Sequence, residues 1–304
     1  MRFVRMAVVV SLSVAFAFAT TGTTPAQSQE APLRLFISVD MEGIGGIGTR
    51  AMTSSAGKDY ALGRELVTAE LNAVVSAILE RDPQADVLIN DSHGDHQNVL
   101  HTQLDPRVTY IQGSIKPLGM VQGLDGSFDG VIFIGYHAKA GDPDGFLAHT
   151  GSGSVKGLWL NDVEVGEGGM NAAFAGSHGV PVILASGDSA TAAELGDLLD
   201  TETVTTKTAE APAAARLIHP VRVRDMLRDG VGRALDRLAA GGFDPLELGV
   251  PMRIRMRFAS TTLVDILMSI PGMTKVDGFT VAYTATDADE AYRLIRLMYR
   301  FVQT

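Results

Sequence analysis

Phe36-Ile37-Ser38-Val39-Asp40-Met41-Glu42-Gly43 is an apolar run that ends in two carboxylates one residue apart. The stretch from Leu33 to Val39 is short, rich in branched and aromatic residues, and bounded by Pro32 and by glycines, so it predicts a buried strand. In open α/β sheets, ligands collect beyond the carboxyl ends of strands, which is where Asp40 and Glu42 fall. Two further apolar runs end in the same manner, Val87-Leu88-Ile89-Asn90-Asp91-Ser92-His93 and Val131-Ile132-Phe133-Ile134-Gly135-Tyr136-His137. Strands sharing one sheet would deliver Asp40, Glu42, His93 and His137 to one edge. These residue types bind zinc and similar ions, so metal-assisted chemistry is the leading reading of the residues themselves.

Between these strands the pattern is helical. Lys58 to Glu80 places Leu62, Leu66, Ala69, Ala73, Val74, Ala77 and Ile78 at helical spacing. Val108 to Ile111 is another strand candidate. Leu158-Trp159-Leu160 and Val163-Glu164-Val165 flank Asn161-Asp162, a two-residue turn that suits a β-hairpin. Gly166 to Gly176 reads as a glycine-loosened helix, and Val182 to Ala185 as a buried strand ending at Gly187-Asp188. From about residue 200 the composition shifts. Val221 to Leu238 and Asp287 to Phe301 read as amphipathic helices, and Met252 to Phe258 alternates like a half-exposed strand. The expected class is α/β, a mostly parallel sheet flanked by helices, with a smaller C-terminal α+β domain. On this reading residues 33–200 form a metal-binding catalytic domain and residues 201–304 the smaller one.

The first residues stand apart. Arg2 and Arg5 precede the apolar run Ala7 to Ala19, and a Thr-rich segment follows. This is the pattern of a secretory signal, so residues 1–26 are expected to be a signal peptide and the start of a linker. The run is short for a membrane span; after signal cleavage no stable membrane insertion is expected, and the mature protein would be periplasmic or secreted. The 304-residue chain has a formal net charge of −10 and no clustered basic patch, which disfavours nucleic acid as a partner. It has no cysteine, so disulfides and thiolate ligands are excluded and any metal site must use histidines and carboxylates.

Each candidate has a plainer reading of its own. Asp40 and Glu42 share one side of a strand end and also suit a solvated cap. His93 follows Asp91, a partner for its second ring nitrogen in a ligand role, yet it also suits a polar loop. His137 ends an apolar run, where an unpaired imidazole is expensive. His149 lies in a glycine-rich loop that suits an acid/base group or a solvent-exposed histidine. Glu167 opens a helix, where a carboxylate complements the helix dipole without further function. Asp188 is read as a helix cap. His96 and His101 are assigned to a surface helix, and His178 and His219 have no supporting context. Gly43-Ile44-Gly45-Gly46-Ile47-Gly48 lacks the spacing of a nucleotide-binding turn, and no serine-hydrolase elbow is present.

Taken together the segments are more specific. Ser38-Val39-Asp40-Met41-Glu42-Gly43, Asn90-Asp91-Ser92-His93, Lys116-Pro117, Gly135-Tyr136-His137-Ala138, and Asn161-Asp162 followed by Val165-Gly166-Glu167 resemble, in order, the zinc-dependent D-aminopeptidase family of metallopeptidases. The resemblance is dense from Leu33 to Asp188 and weaker beyond. It implies two zinc ions per subunit, with Asp40, Glu42, His93, His137 and Glu167 as metal ligands, Asp40 bridging, and His149 as the catalytic histidine. It further implies a homo-oligomer acting on short peptides that begin with a D-amino acid. The loop from His137 to His149, which carries Asp142 and Asp144, is slightly longer than the family spacing. The rival readings are an exported dinuclear metal amidase or esterase acting on non-peptide substrates, and a non-catalytic metal- or peptide-binding protein.

Overall fold

The computed structural model describes residues 1–3 and 31–302; most of the segment read as an export signal lies outside the described residues. The chain runs through β1 (Arg34–Val39), α1 (Tyr60–Arg81), β2 (Asp86–Asp91), β3 (Thr109–Ile111), β4 (Gly130–Tyr136), β5 (Val155–Leu160) and β6 (Val163–Glu164). It continues through α2 (Glu167–Ser177), β7 (Val182–Asp188), α3 (Ser189–Leu198), β8 (Glu202–Ala211), β9 (Ala214–Leu217) and α4 (Pro220–Ala239). The last elements are β10 (Met252–Phe258), α5 (Thr261–Leu267), β11 (Thr274–Lys275), β12 (Thr280–Ala285) and α6 (Ala288–Phe301). A seven-stranded sheet has the order β3-β2-β1-β4-β7-β8-β9, parallel except for the β8–β9 hairpin. A second, antiparallel sheet has the order β11-β12-β10-β5-β6. Residues 33–200 and 201–304 each supply strands to both sheets, and Pro32–Thr304 form one compact unit. None of the helices among the described residues is long and apolar enough to cross a membrane.

Alternation along β1 builds two cores. Leu35, Ile37 and Val39 pack with Val67, Leu71 and Val74 of α1 and Val223, Leu227 and Val231 of α4. Phe36 points to the other face, into a cluster with Phe133, Phe174 of α2, the β10 side chains and Ile295 and Met298 of α6. Each such side chain, removed from water on folding, contributes about 1.5–3 kcal/mol. The helix expected over 58–80 is present, but Leu62 is exposed while Val67 and Leu71 are buried, so the buried face is broader and rotated from the one read in sequence. The Asn161-Asp162 turn forms as expected, both residues taking positive φ between paired β5 and β6.

Register then aligns the strand ends. Val39 lies beside Asp91 on one side and Ile134 on the other, so the segments 40–42, 92–93 and 135–137 leave the sheet side by side. Two glycines permit the contact between the first and the last. A Cβ on Gly43 would sit 2.0 Å from the Tyr136 carbonyl oxygen, and one on Gly135, at φ +72°, 2.4 Å from that of Asp40. In their absence the Gly43 amide donates to the Gly135 oxygen at 2.8 Å. The other face is tied by a buried chain of hydrogen bonds. Tyr292 Oη donates to Asn171 Oδ1 (2.7 Å), Asn171 Nδ2 to Tyr136 Oη (2.8 Å), and Tyr136 Oη to Ser38 Oγ (2.7 Å). The C-terminal helix is thereby linked to the strand that carries Asp40.

Candidate metal centre

The aligned strand ends, the loop between β4 and β5 and the N-terminus of α2 bring six side chains together. Ligand atoms of Asp40, Glu42 and His93 lie within 4.8 Å of one another, and so do those of His137, His149 and Glu167. Asp40 faces both groups: Oδ1 is 2.9 Å from His93 Nδ1, and Oδ2 is 3.3 Å from His137 Nε2. Glu42 Oε2 lies 3.0 Å from His93 Nδ1. Glu167 Oε1 lies 3.5 Å from His137 Nε2 and 3.6 Å from His149 Nε2. The rings of His137 and His149 stack at 4.0 Å.

Backbone carbonyls fix which nitrogen of each ring faces the carboxylates. A carbonyl only accepts, so the ring nitrogen opposite it carries the proton. His93 Nε2 meets Thr53 O at 2.8 Å, His137 Nδ1 meets Ala138 O at 3.0 Å, and His149 Nδ1 meets Leu147 O at 2.9 Å. In the neutral imidazoles, His93 Nδ1 and His137 Nε2 therefore turn a lone pair toward buried carboxylate oxygens. His137 Nε2 and Glu42 Oε2 are fully buried without a hydrogen-bond partner. Lone pairs converging on lone pairs require a cation between them, and this carbonyl-anchored arrangement is the one that orients histidine metal ligands. The donor set, nitrogen and carboxylate oxygen, suits zinc; the two groups fit two ions.

Electrostatics give the same answer. Burial pushes the His93 and His137 imidazoles down, but Glu42 with Asp40 at the first and Glu167 with Asp40 at the second together outweigh it, holding both well above the usual histidine range. Burial pushes Glu42 and Glu167 up, yet His93 and His137 leave Glu42 well below the carboxylate range and Glu167 at about 2. The buried carboxylates thus draw positive charge into the site, and protons supply it where metal does not.

Neighbouring groups hold the frame. Glu167 Oε1 also accepts the Gly151 amide at 2.5 Å, anchoring the loop that carries His149. Asp188 caps α3 by accepting from Thr191 N, as expected, and its second oxygen accepts the Phe146 amide at 2.6 Å. Lys207, buried on β8, donates to the Glu42 and Ile47 carbonyls and lies over the Phe146 ring. Burial lowers its ammonium to about 7. Asp91 is not the partner of His93: it accepts from Asn98 N, Asn98 Nδ2 and Val99 N, shaping the next loop instead. His96 is likewise not on a surface helix. It is buried in a turn at φ +62° with Nδ1 against Asp91 O, and burial pushes it down to about 3. His101 lies in an exposed 3-10 turn.

The model of the peptidase M55 family, D-aminopeptidase, matches residues 33–297. The chain belongs to the D-aminopeptidase family. A D-aminopeptidase of Bacillus subtilis (strain 168) is 32% identical over 268 residues, covering 88% of this chain and 96% of the relative. The solved structure of the Zn-dependent D-aminopeptidase DppA from Bacillus subtilis, described as a self-compartmentalizing protease, superposes with a TM-score of 0.84 at the same identity and coverage.

Within this D-aminopeptidase fold the structure also gathers residues that sequence reading left out. Thr53, Lys207, Arg296 and Tyr299 all border the six side chains or support them. Thr53 acts through its main-chain carbonyl, which any residue type would offer. Lys207 and Arg296 carry a residue-level signal, a cation in a pattern of otherwise buried positions, but nothing local says what they face.

Proposed function

We propose that the chain is a zinc-dependent aminopeptidase that hydrolyses short peptides beginning with a D-amino acid. The observation that carries this is the two-sided placing of Asp40, one oxygen toward His93 and the other toward His137. Asp40, Glu42 and His93 would hold one ion, and Asp40, His137 and Glu167 the other. Bound there, zinc supplies polarisation of the scissile carbonyl and acidification of water toward neutral pH.

The chain's own residues supply the rest. The Nδ1–H of His149 is held by Leu147 O, which leaves Nε2 as the basic nitrogen, on the side of Glu167. Nε2 takes a proton from the attacking water and returns it to the departing amine as the C–N bond breaks. Glu167 stabilises the imidazolium in between, 3.6 Å away. The stacked His137 ring and the Gly151–Glu167 bond restrict the loop, so the nitrogen is positioned before substrate arrives. Carboxylate oxygens not engaged by metal suit the free α-amine of the substrate, which favours removal of a single N-terminal residue over internal cleavage.

Export and self-association belong to the same proposal. The Arg2, Arg5 and Ala7–Ala19 pattern supports export to the periplasm or beyond, where peptides of D-amino acids from cell-wall turnover occur. The self-compartmentalizing description of DppA and the exposed Val250, Val276, Phe279 and Phe301 support a homo-oligomer.

The test is amine release from D-Ala-D-Ala, L-Ala-L-Ala and N-acetyl-D-Ala-D-Ala, with zinc and with a chelator. Zinc-dependent cleavage of the D-peptide with a free amine is expected. Equal cleavage of the acetylated peptide refutes amine recognition, and no cleavage by folded, zinc-loaded protein refutes the peptidase assignment.

A further inference from the structure

The metal centre borders a cavity of about 110 Å³ lined by Asp40, His93, His149 and Glu167 and, from α6, by Arg296, Tyr299 and Arg300. Arg296 is only 3% exposed. Its guanidinium is fixed on two sides: Nε donates to Lys116 O at 2.7 Å and Nη1 to Tyr299 Oη at 3.3 Å. A Cβ on Gly119 would stand 2.6 Å from Nη1, so that glycine admits the group. The remaining nitrogen, Nη2, is buried without a partner. Among the described residues no carboxylate lies within 4.0 Å of Arg296; the Lys116 whose carbonyl it holds has a buried ammonium that burial pushes down to about 7.

A buried, unpaired guanidinium is costly and persists where an anion completes it. Its planar fork matches a carboxylate, to which it donates in parallel. Arg300, one helical turn further on, lines the same cavity. The carboxylates that line the cavity face the metal-site histidines and do not pair with Arg296, so the anion must come from outside the chain.

We propose that Arg296 reads a carboxylate of the substrate, making this a subsite for peptides that bear a negative charge within about one residue of the scissile bond. This deepens the aminopeptidase reading and rests on it for the word substrate. Two groups carry that chemistry: the C-terminal carboxylate of a dipeptide, and an acidic side chain on the N-terminal residue. The small cavity limits either to a short reach.

The experiment uses zinc-loaded protein and reduced-bond analogues, in which CH2 replaces the scissile carbonyl so that no turnover is needed. Calorimetry compares the D-Ala-D-Ala analogue as free acid, the same analogue as C-terminal carboxamide, and a D-Glu-D-Ala carboxamide analogue. One of the two carboxylates should tighten binding about 10- to 100-fold over the uncharged carboxamide. Preference for the first assigns the C-terminus, and for the third the side chain. In Arg296→Met the preference should collapse toward one, with zinc content retained. Arg296→Lys, which keeps charge without the fork, should keep part of it and serves if the methionine variant does not fold. Equal binding of all three analogues by the wild type overturns the proposal, as does a preference that survives both substitutions. A wild type that shows the preference but releases no amine from D-peptides leaves Arg296 as a carboxylate-binding residue and refutes the peptidase assignment alone.

Discussion

Asp40→Asn tests the metal centre at the one side chain common to its two halves. The amide has the same shape and keeps an oxygen to accept the Met41 amide, which lies 2.8 Å from Oδ1. What it removes is the negative charge between His93 Nδ1 at 2.9 Å and His137 Nε2 at 3.3 Å. An ion present at a thousand times its dissociation constant stabilises a fold by about 4 kcal/mol. For a chain of this size that is a rise in melting temperature on the order of 10 °C. The variant should lose most of that rise and retain less than one zinc per chain by mass spectrometry after desalting. Glu42→Gln and Glu167→Gln each weaken only one group, so each should retain about one ion by the same structural reasoning. Without metal, Asp40 still pairs with the raised imidazoles of His93 and His137, so metal-free Asp40→Asn should melt below metal-free wild type near pH 5 to 6. An Asp40→Asn protein that holds two zinc ions and shows the full thermal shift would refute the shared-ligand geometry.

Three further outcomes follow from particular contacts. His149→Ala should bind two zinc ions yet lose about 10²- to 10⁴-fold in kcat; loss of one ion instead would make His149 a ligand rather than the acid/base group. Gly43→Ala places a methyl 2.0 Å from the Tyr136 carbonyl oxygen, a backbone clash that should cost about 4 kcal/mol or more. It should part Asp40 from His137 and reduce turnover by about a hundredfold; a soluble, fully active variant sinks the close-approach argument. The third concerns Glu70, which is buried with Oε1 accepting the Gly45 amide and Oε2 without a partner. Burial raises its carboxyl from 4.5 to about 8. Its contribution to stability is fully present below about 4.5 and is lost as pH rises through about 8, by roughly 5 kcal/mol in all. Glu70→Gln should therefore gain melting temperature relative to wild type between pH 5 and pH 8.5, and a pH-independent difference would show that Glu70 does not titrate there.

The same sign reasoning separates proton from metal at the main site. His93 and His137 are raised from 6.5, so their contribution to the metal-free fold is complete below about 6.5 and fades as pH rises through the raised values. Glu42 and Glu167 are lowered from 4.5; theirs is complete above about 4.5 and fades as pH falls through the lowered values. The metal-free site is accordingly best satisfied near pH 5 to 6, with protons on the imidazoles. Zinc must displace those protons, so the thermal shift it produces should grow from pH 6 to pH 8, measured by calorimetry at fixed free zinc. A shift that shrinks over this range contradicts the assignment of His93 and His137 as proton-for-metal exchange sites.

How much of this was legible in the sequence depends on whether the cause was local. The strand ends at Asp40, His93 and His137 could be read because a buried parallel strand is a continuous apolar run, and the first polar residue after it marks the ligand-bearing edge. Glu167 and His149 were individually ambiguous; only the ordered set of motifs, through its family resemblance, gave them roles. The Asn161-Asp162 hairpin announced itself because both turn residues take positive φ, which Asn and Asp tolerate. The pairing of that hairpin was not legible: β5 joins β10, far along the chain, and nothing near residue 160 encodes a partner at residue 255. Asp91 misled for a related reason, since proximity in sequence to His93 says nothing about rotamer, and its oxygens turned to the Asn98 and Val99 amides. The residues that complete the electrostatics lie furthest from their targets. Lys207 reaches Glu42 across 165 positions and Arg296 reaches Lys116 across 180, both placed by sheet order and helix packing. Ligand identity is thus written at strand ends, whereas the charges that set the chemistry around those ligands arrive by topology. A substitution at Lys207 or Arg296 should therefore alter the site's selectivity or metal affinity while every motif readable in the sequence stays intact.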